Sequence, residues 1–302
     1  MKPIRFEKES FVRLADAARI GMDVTLNITP KKQVKLIEFE TLLYEKSHMT
    51  VEFDTFSNTS KYYPHALSYT NVGHYVQVTT DSPEFNVRYI EKHLSEDEFT
   101  DTYQDLFQRE NKYISVDLRN DIEIGSVFFT PGTNLSFMVD IPKLDELMRL
   151  DQEMLIKPHP LSNNEDIDFL SKRYGYDRLI EKEINAESVI RACTKVYYCD
   201  NSEIGLRALF NFKPIEHVND LKNNHVGTYF PLYYTLRQYK EDKQAAILYH
   251  IMTDPKFGYF DMDDSIEELS EQLDNYLHKV EELREYLKPR IPVYAKEKSN
   301  KD

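Results

Sequence analysis

Two short runs in the second half of the chain have the residue types and spacing to hold a phosphate. Lys157, Pro158, His159 and Pro160 follow the apolar pair Leu155 and Ile156. Prolines on either side of a histidine fix an extended turn and hold the imidazole at a strand end, with a lysine cation beside it. Such a pair can neutralise a diphosphate, although a proline-rich turn in which His159 only caps the loop uses the same residues. Further on, Asp200, Asn201, Ser202 and Glu203 separate the apolar run at 195–199 from a helical pattern starting at Ile204. Asp, Asn and Ser can cap that helix, and its first-turn N–H groups with the Ser202 hydroxyl would make an anion site. The alternative is a plain N-cap with Glu203 supporting the helix dipole. A third run, Thr130, Pro131, Gly132, Thr133 and Asn134, offers close backbone approach at Gly132 and small donors at Thr133 and Asn134. It lacks the Gly-Lys-Ser/Thr ending of a Walker loop.

These runs need elements to position them. In the second half, short apolar strands alternate with helices: strand 126–130, helix 142–150, strand 153–156, helices 165–174 and 186–192, strand 195–199, helix 204–211 and strand 214–218. That alternation predicts a parallel sheet covered on both faces, with ligands beyond the carboxyl ends of its strands. The first half reads as helix 8–20, strand 22–28, helix 34–43 and strand 49–53. Next come an irregular polar loop at 56–74, strand 75–79, helices 84–94 and 95–108, and strand 113–118. Ile266, Leu269, Leu273, Leu277, Val280, Leu283 and Leu287 form the stripe of an amphipathic helix, expected to dock on the lobes rather than to form a coiled coil. The fold class is therefore α/β, divided as 1–122, 123–262 and a C-terminal helix and tail at 263–302.

Composition narrows the function classes. The chain has 302 residues, 41% hydrophobic, and a net charge of -14, which would repel a nucleic-acid backbone at long range. Cys193 and Cys199 are the two cysteines and read as reduced core residues. The first twenty residues have no uninterrupted apolar centre, and no run of eighteen apolar residues is present, so neither a signal peptide nor a membrane span is expected and a cytoplasmic location follows. Asp261, Asp263 and Asp264 read as the acidic start of the last helix, not as a metal motif, so no metal and no cofactor is expected.

The run Lys-Pro-His-Pro after a strand, then a strand, a Ser-containing turn and a helix ending in Phe212, Lys213, Pro214 and Ile215, resembles the donor lobe of GT-B glycosyltransferases. It is similar to the bacterial capsule, sialyl- and CDP-glycerol-type transferases and, more distantly, to UDP-N-acetylglucosamine 2-epimerases. The resemblance covers about residues 126–218. It implies two Rossmann-like lobes facing a central cleft, the first on the acceptor side and the second binding the nucleotide. By that resemblance His159 contacts the donor phosphate or adjoining ribose, Ser202 and Asn201 hold a phosphate, and Lys157 sits nearby. Relatives often place a ribose-binding carboxylate where this chain has Arg207, which leaves Glu203 or Glu216 as substitutes.

The function this implies is metal-independent transfer of a sugar from a nucleotide-activated donor to an acceptor hydroxyl. Transfer needs the leaving nucleotide stabilised and, with inversion, a base for the acceptor. Base candidates are Asp54 and His65, with Asp23 behind them, and Tyr62, Tyr63, Tyr69 and Tyr75 could support a sugar ring or a flipped base. The acceptor would be a glycan, a polyol phosphate or a hydroxymethylated DNA base. The other readings are a nucleotide-sugar epimerase and a nucleotide-binding protein without turnover.

Overall fold

The computed structural model describes residues 38–39, 41–43, 45–46, 51–53, 67–72, 75–80, 83–94, 115–119, 121–199, 202–218 and 230–287. Two four-stranded sheets organise them. The second is the parallel sheet that the alternation predicts. Its strands are β4 (Ile124–Phe129), β5 (Leu155–Lys157), β6 (Cys193–Tyr198) and β7 (Ile215–His217), in the order β5-β4-β6-β7 with every pairing parallel.

Parallel neighbours require crossover connections, and helices supply them. We number the helices α1 (Pro83–His93), α2 (Ile141–Leu150), α3 (Asn164–Tyr174), α4 (Ala186–Ala192), α5 (Ile204–Phe210), α6 (Phe230–Leu236), α7 (Glu241–Thr253) and α8 (Ile266–Leu287). Alternation along each strand divides the core. Phe128, Ile156, Tyr197 and Cys199 pack with Leu144 and Met148 of α2 and Leu170 of α3, whereas Val127, Phe129 and Val196 pack with Val189 and Ile190 of α4 and Ala208 of α5. Both faces are buried, which is why these strands read as continuous apolar runs. Across the first face, Asp145 of α2 accepts hydrogen bonds from Arg173 Nε at 2.7 Å and Tyr174 Oη at 2.9 Å, tying α2 to α3. The Arg173 bond holds the Asp145 carboxyl below the usual carboxylate range.

The first sheet differs from the expected parallel, Rossmann-like lobe. It contains β1 (Val51–Phe53), β2 (Leu67–Val72), β3 (Tyr75–Thr80) and β8 (Tyr259–Asp261) in the order β1-β2-β3-β8. Only β1 with β2 is parallel; β2 with β3 and β3 with β8 are antiparallel. The physical reason is the short connection between Val72 and Tyr75, which permits only a hairpin. The polar stretch read as an irregular loop thus contains a strand, with Tyr69 in β2 and Tyr75 in β3. The expected elements before residue 38, the helix at 95–108, Tyr62, Tyr63 and the tail beyond 287 lie outside the described residues.

The C-terminal stripe is covered as a docked helix. Leu269, Leu273, Tyr276, Val280 and Leu283 of α8 bury against Val76, Val78 and Phe260 on one face of the first sheet, together with Phe39 and Leu43. On the other side, Tyr259 of β8 and Ile90 of α1 join Tyr198, Leu206, Leu209, Tyr233 and Ile251 in a core that links the two sheets. The expected division at 262 therefore falls between β8, which completes the first sheet, and the helix that covers it.

The turn into β8 depends on Gly258, whose φ of 85° is in the left-handed region. Its carbonyl accepts a hydrogen bond from Val78 N–H at 2.7 Å, and a Cβ there would lie 2.2 Å from the Val78 carbonyl oxygen. Backbone atoms cannot yield to that overlap. Gly258→Ala should cost about 2 kcal/mol or more and lower the thermal midpoint by several degrees. A midpoint within one degree of the parent would show that the turn is not this tight.

Candidate functional site

Register places three loops at one end of the parallel sheet. Phe128 of β4 stands level with Ile156 of β5 and Tyr197 of β6, so the chain leaves the strands together at Thr130, Pro158 and Cys199. After β4 the chain passes to β5 on one side and then to β6 on the other. The connections thus reverse between β4 and β6, the position at which open α/β sheets take ligands.

His159 is held by its own loop and by β4. Its backbone N–H donates to Thr130 Oγ1 at 3.0 Å, its carbonyl accepts from Ser162 N–H at 2.8 Å, and its ring Nδ1 accepts from Leu161 N–H at 3.0 Å. With Nδ1 an acceptor, the neutral ring carries its proton on Nε2. The loop thus sets both the ring's direction and its tautomer.

Lys157 takes a different place from the one its sequence position suggests. Its side chain is 1% exposed, and Nζ donates to the carbonyls of Pro158 and Lys182, each at 2.9 Å. Burial pushes its pKa down to about 7, opposed by the Glu183 carboxylate. The lysine braces the loop from beneath instead of lying beside His159 at the surface.

The loop after β4 is braced as well. Gly132 is buried with extended backbone, at φ −62° and ψ 163°. Thr133 Oγ1 accepts from Asn163 N–H at 2.8 Å and donates to Asp166 Oδ2 at 2.6 Å, while the Asn163 side chain accepts from Asp166 N–H at 2.8 Å. Thr133 therefore links the first loop to the start of α3. Asn134 follows it in the 3-10 turn Thr133–Met138.

At the third loop the N-cap of α5 is Glu203, with no side-chain cap hydrogen bond, and the expected capping residue Ser202 lies one position earlier in the turn. The Ser202 N–H donates to the Cys199 carbonyl at 3.0 Å and its Oγ accepts from Ile204 N–H at 3.2 Å. Asp200 and Asn201 lie outside the described residues, as do Asp23, Asp54 and His65. Tyr233 of α6, which no sequence motif marks, donates from its hydroxyl to the Ser202 carbonyl at 3.0 Å. A Cβ on Gly205 would lie 2.3 Å from that hydroxyl, so the glycine is what admits the tyrosine. A glycine beside an apolar strand end is the one sequence signal for this contact.

Neither carboxylate suggested for the ribose is without a cation. Glu203 lies 3.6 Å from Arg207, which also lies 3.6 Å from Glu187. Glu216 is set between Lys143 at 3.2 Å and Lys195 at 2.9 Å. Burial would raise the Glu216 pKa, but hydrogen bonds from the two lysines outweigh it and hold the carboxyl below its usual range. Among the described residues no group of three or more His, Cys, Asp or Glu side chains could hold a metal ion, and no helix is long and apolar enough to cross a membrane. Cys193 and Cys199 are buried thiols outside any disulfide, donating to the carbonyls of Ile190 at 3.3 Å and Val218 at 3.6 Å.

No protein-family model and no curated protein matches the chain. Among solved structures it is similar to one described as an S. aureus MnaA-UDP co-structure, at 11% sequence identity and a TM-score of 0.31, with 87% of this chain and 83% of that one covered. A likeness that loose identifies neither a ligand nor a reaction.

Two measurements probe the braces. Gly205→Ala should lower the thermal midpoint by more than Tyr233→Phe, which loses one hydrogen bond worth about 1 kcal/mol; equal or negligible effects would remove Tyr233 as the support of the Ser202 turn. For Lys157, the folded pKa near 7 lies below the 10.5 of an exposed lysine, so between those values the unfolded chain binds more protons. Stability contributed by this group therefore rises with pH, by up to about 1.4 kcal/mol per unit, across that window. Urea unfolding of the parent against Lys157→Met from pH 7 to 9.5 should show the parent gaining relative to the variant. Parallel profiles would mean that the amine is not desolvated.

Proposed function

We propose that this chain binds a nucleotide-activated sugar across the ends of β4, β5 and β6 and transfers the sugar to an acceptor hydroxyl without a metal ion. The observation that carries the reading is the convergence of the His159 and Ser202 loops on the end of one parallel sheet where strand order reverses. Adjacent strands are ~4.8 Å apart, so the backbones of β5 and β6, with β4 between them, are separated by roughly 10 Å. A ligand that touches both loops is longer than one phosphate. A nucleoside diphosphate has that length.

In this reading Nε2–H of His159 donates to a donor phosphate, and the Ser202 turn, with Asn201, receives the rest of the diphosphate. Gly132, Thr133 and Asn134 form the wall contributed by β4, and Lys157 acts through the His159 loop. Glu203 reaches a ribose hydroxyl only by sharing its carboxylate with Arg207. The departing nucleotide leaves as an anion stabilised by these donors. If configuration inverts, Asp54 or His65 of the first half removes the acceptor proton. The acceptor is a glycan, a polyol phosphate or a hydroxymethylated base; the net charge of -14 speaks against the last.

A thermal-shift panel of CMP, CDP, UDP and GDP tests the donor site. One nucleotide should raise the midpoint, and His159→Ala should abolish most of that rise; no response from the parent to any of the four would end the donor reading. Incubating the protein with the corresponding nucleotide sugar then separates the reactions. Transfer requires an acceptor, an epimerase converts the sugar with none present, and a binding protein leaves it intact.

A further inference from the structure

Lys157 is a buried cation at the base of the proposed donor site, and its partners belong to different segments. Pro158 lies on the loop that carries His159. Lys182 lies on an edge segment that bridges β5 through Leu179 and Ile156, and bridges Val116 through Ile184. The main chain of Lys157 adds a third tie, because its carbonyl accepts from Thr130 N–H at 3.1 Å. The hydroxyl of that same threonine accepts from His159 N–H at 3.0 Å. Side chain and backbone of one residue therefore set the position of the His159 turn against both β4 and the edge segment.

The strength of that brace depends on the charge of the amine. An ammonium offers three donors and charge-assisted bonds, whereas a neutral amine offers fewer and weaker ones. With the pKa near 7, both forms are populated in neutral solution. Among the described residues, Glu183 on the edge segment is the charged group that acts on the amine; its sequence neighbour Lys182, His159 on the loop and Asp117 beside Asn185 are the other titratable groups of the adjoining segments. Glu183 favours the ammonium. The Asp117 carboxylate is engaged by the Asn185 side chain at 2.7 Å. A diphosphate arriving on the loop adds negative charge where burial weakens dielectric screening, and so favours the ammonium further.

We propose that Lys157 is a positioning residue whose protonation is coupled to binding of a phosphate-bearing ligand on the His159 loop, so that ligand and proton are taken up together. The proposal rests on the donor-site reading above. Because linkage is reciprocal, the ligand raises the proton affinity of the lysine by the same factor that the proton raises affinity for the ligand.

Isothermal titration of CMP-, CDP-, UDP- and GDP-linked sugars into the parent protein tests it, because a phosphodiester or diphosphate diester exchanges no proton of its own near neutrality. At pH 7.5 the binding heat should vary with the ionisation enthalpy of the buffer, reporting uptake of a fraction of a proton per ligand. Affinity should weaken as pH rises from 7 to 9, by at most about tenfold per unit. Lys157→Arg, permanently charged, should bind with buffer-independent heat and a flatter pH profile, which a purely structural lysine would not produce. If that variant does not fold, carbon NMR of the lysine side chains in the parent serves instead: one lysine should titrate near pH 7 and move upward when the nucleotide sugar is added. Binding without proton uptake, or uptake that persists undiminished in Lys157→Arg, overturns the coupling alone. Absence of binding by every sugar removes the donor site and the coupling with it.

Discussion

Level pairing of β4 with a neighbour on each side is the constraint from which the site follows. Val127, Phe128 and Phe129 stand opposite Leu155, Ile156 and Lys157, while Val127 and Phe128 stand opposite Val196 and Tyr197. A slip of one residue in either pairing would turn apolar side chains from one covered face to the other, exchanging the α2–α3 core for the α4–α5 core. Burial on both faces thus penalises any register but this one. Because the pairings are parallel, the same register that satisfies the core brings Thr130, Pro158 and Cys199 out at one height. The height at which the loops leave the sheet is thus a by-product of packing, and the side-chain braces act on loops already brought level.

Tyrosine hydroxyls and glycines carry the next level of organisation. Tyr276 of α8 donates to the Val78 carbonyl at 3.0 Å, and Tyr233 of α6 donates to the Ser202 carbonyl at 3.0 Å. In each case a glycine, Gly258 or Gly205, leaves the space that the ring occupies. A buried phenol needs a partner for its hydroxyl, and a backbone carbonyl at a turn is a fixed acceptor. The first bond fastens the C-terminal helix to the mixed sheet; the second fastens the core between the sheets to the Ser202 turn. Tyr233 also meets Tyr198 edge-on, with ring centroids 5.1 Å apart, so the support for that turn extends into the last residue of β6.

How far the sequence could be read depended on whether a feature was local. The parallel sheet was legible because strands buried on both faces are apolar throughout and their helices carry caps: Asp140, Asn163 and Asn185 each accept a first-turn N–H. The amphipathic stripe of α8 was legible for a similar reason, since its period is set by a single apolar face. The mixed first sheet was not. β2, Leu67–Val72, lies within a stretch dominated by Ser, Thr, Asn and Tyr, and β8 is three residues that pair with a strand far back in the chain. Neither has an internal period long enough to announce it. At the site, Pro158 and Pro160 marked the His159 turn correctly as a strand-end loop, but nothing local could reveal that Lys157 points into the protein. Its position in β5 gives alternate residues opposite faces, and the covering segment 179–184 that receives its ammonium is defined only by tertiary contact.

That inward lysine differs from a surface lysine in how its charge is screened. Surface lysines add long-range attraction that salt screens within about 8 Å at physiological ionic strength. A charge held beneath a loop is screened less and cannot be neutralised by a mobile counterion. Glu203 and Glu216 each lie within 4 Å of a cation, Glu203 beside Arg207, which it shares with Glu187, and Glu216 between Lys143 and Lys195. Those contacts offset the two carboxylates locally, within a chain whose net charge is -14. On the proposed reading an incoming phosphate meets the imidazole of His159 and the turn at Ser202, above a lysine whose charge responds to it. On that same reading donor geometry counts for more than long-range field, and affinity follows pH more closely than salt.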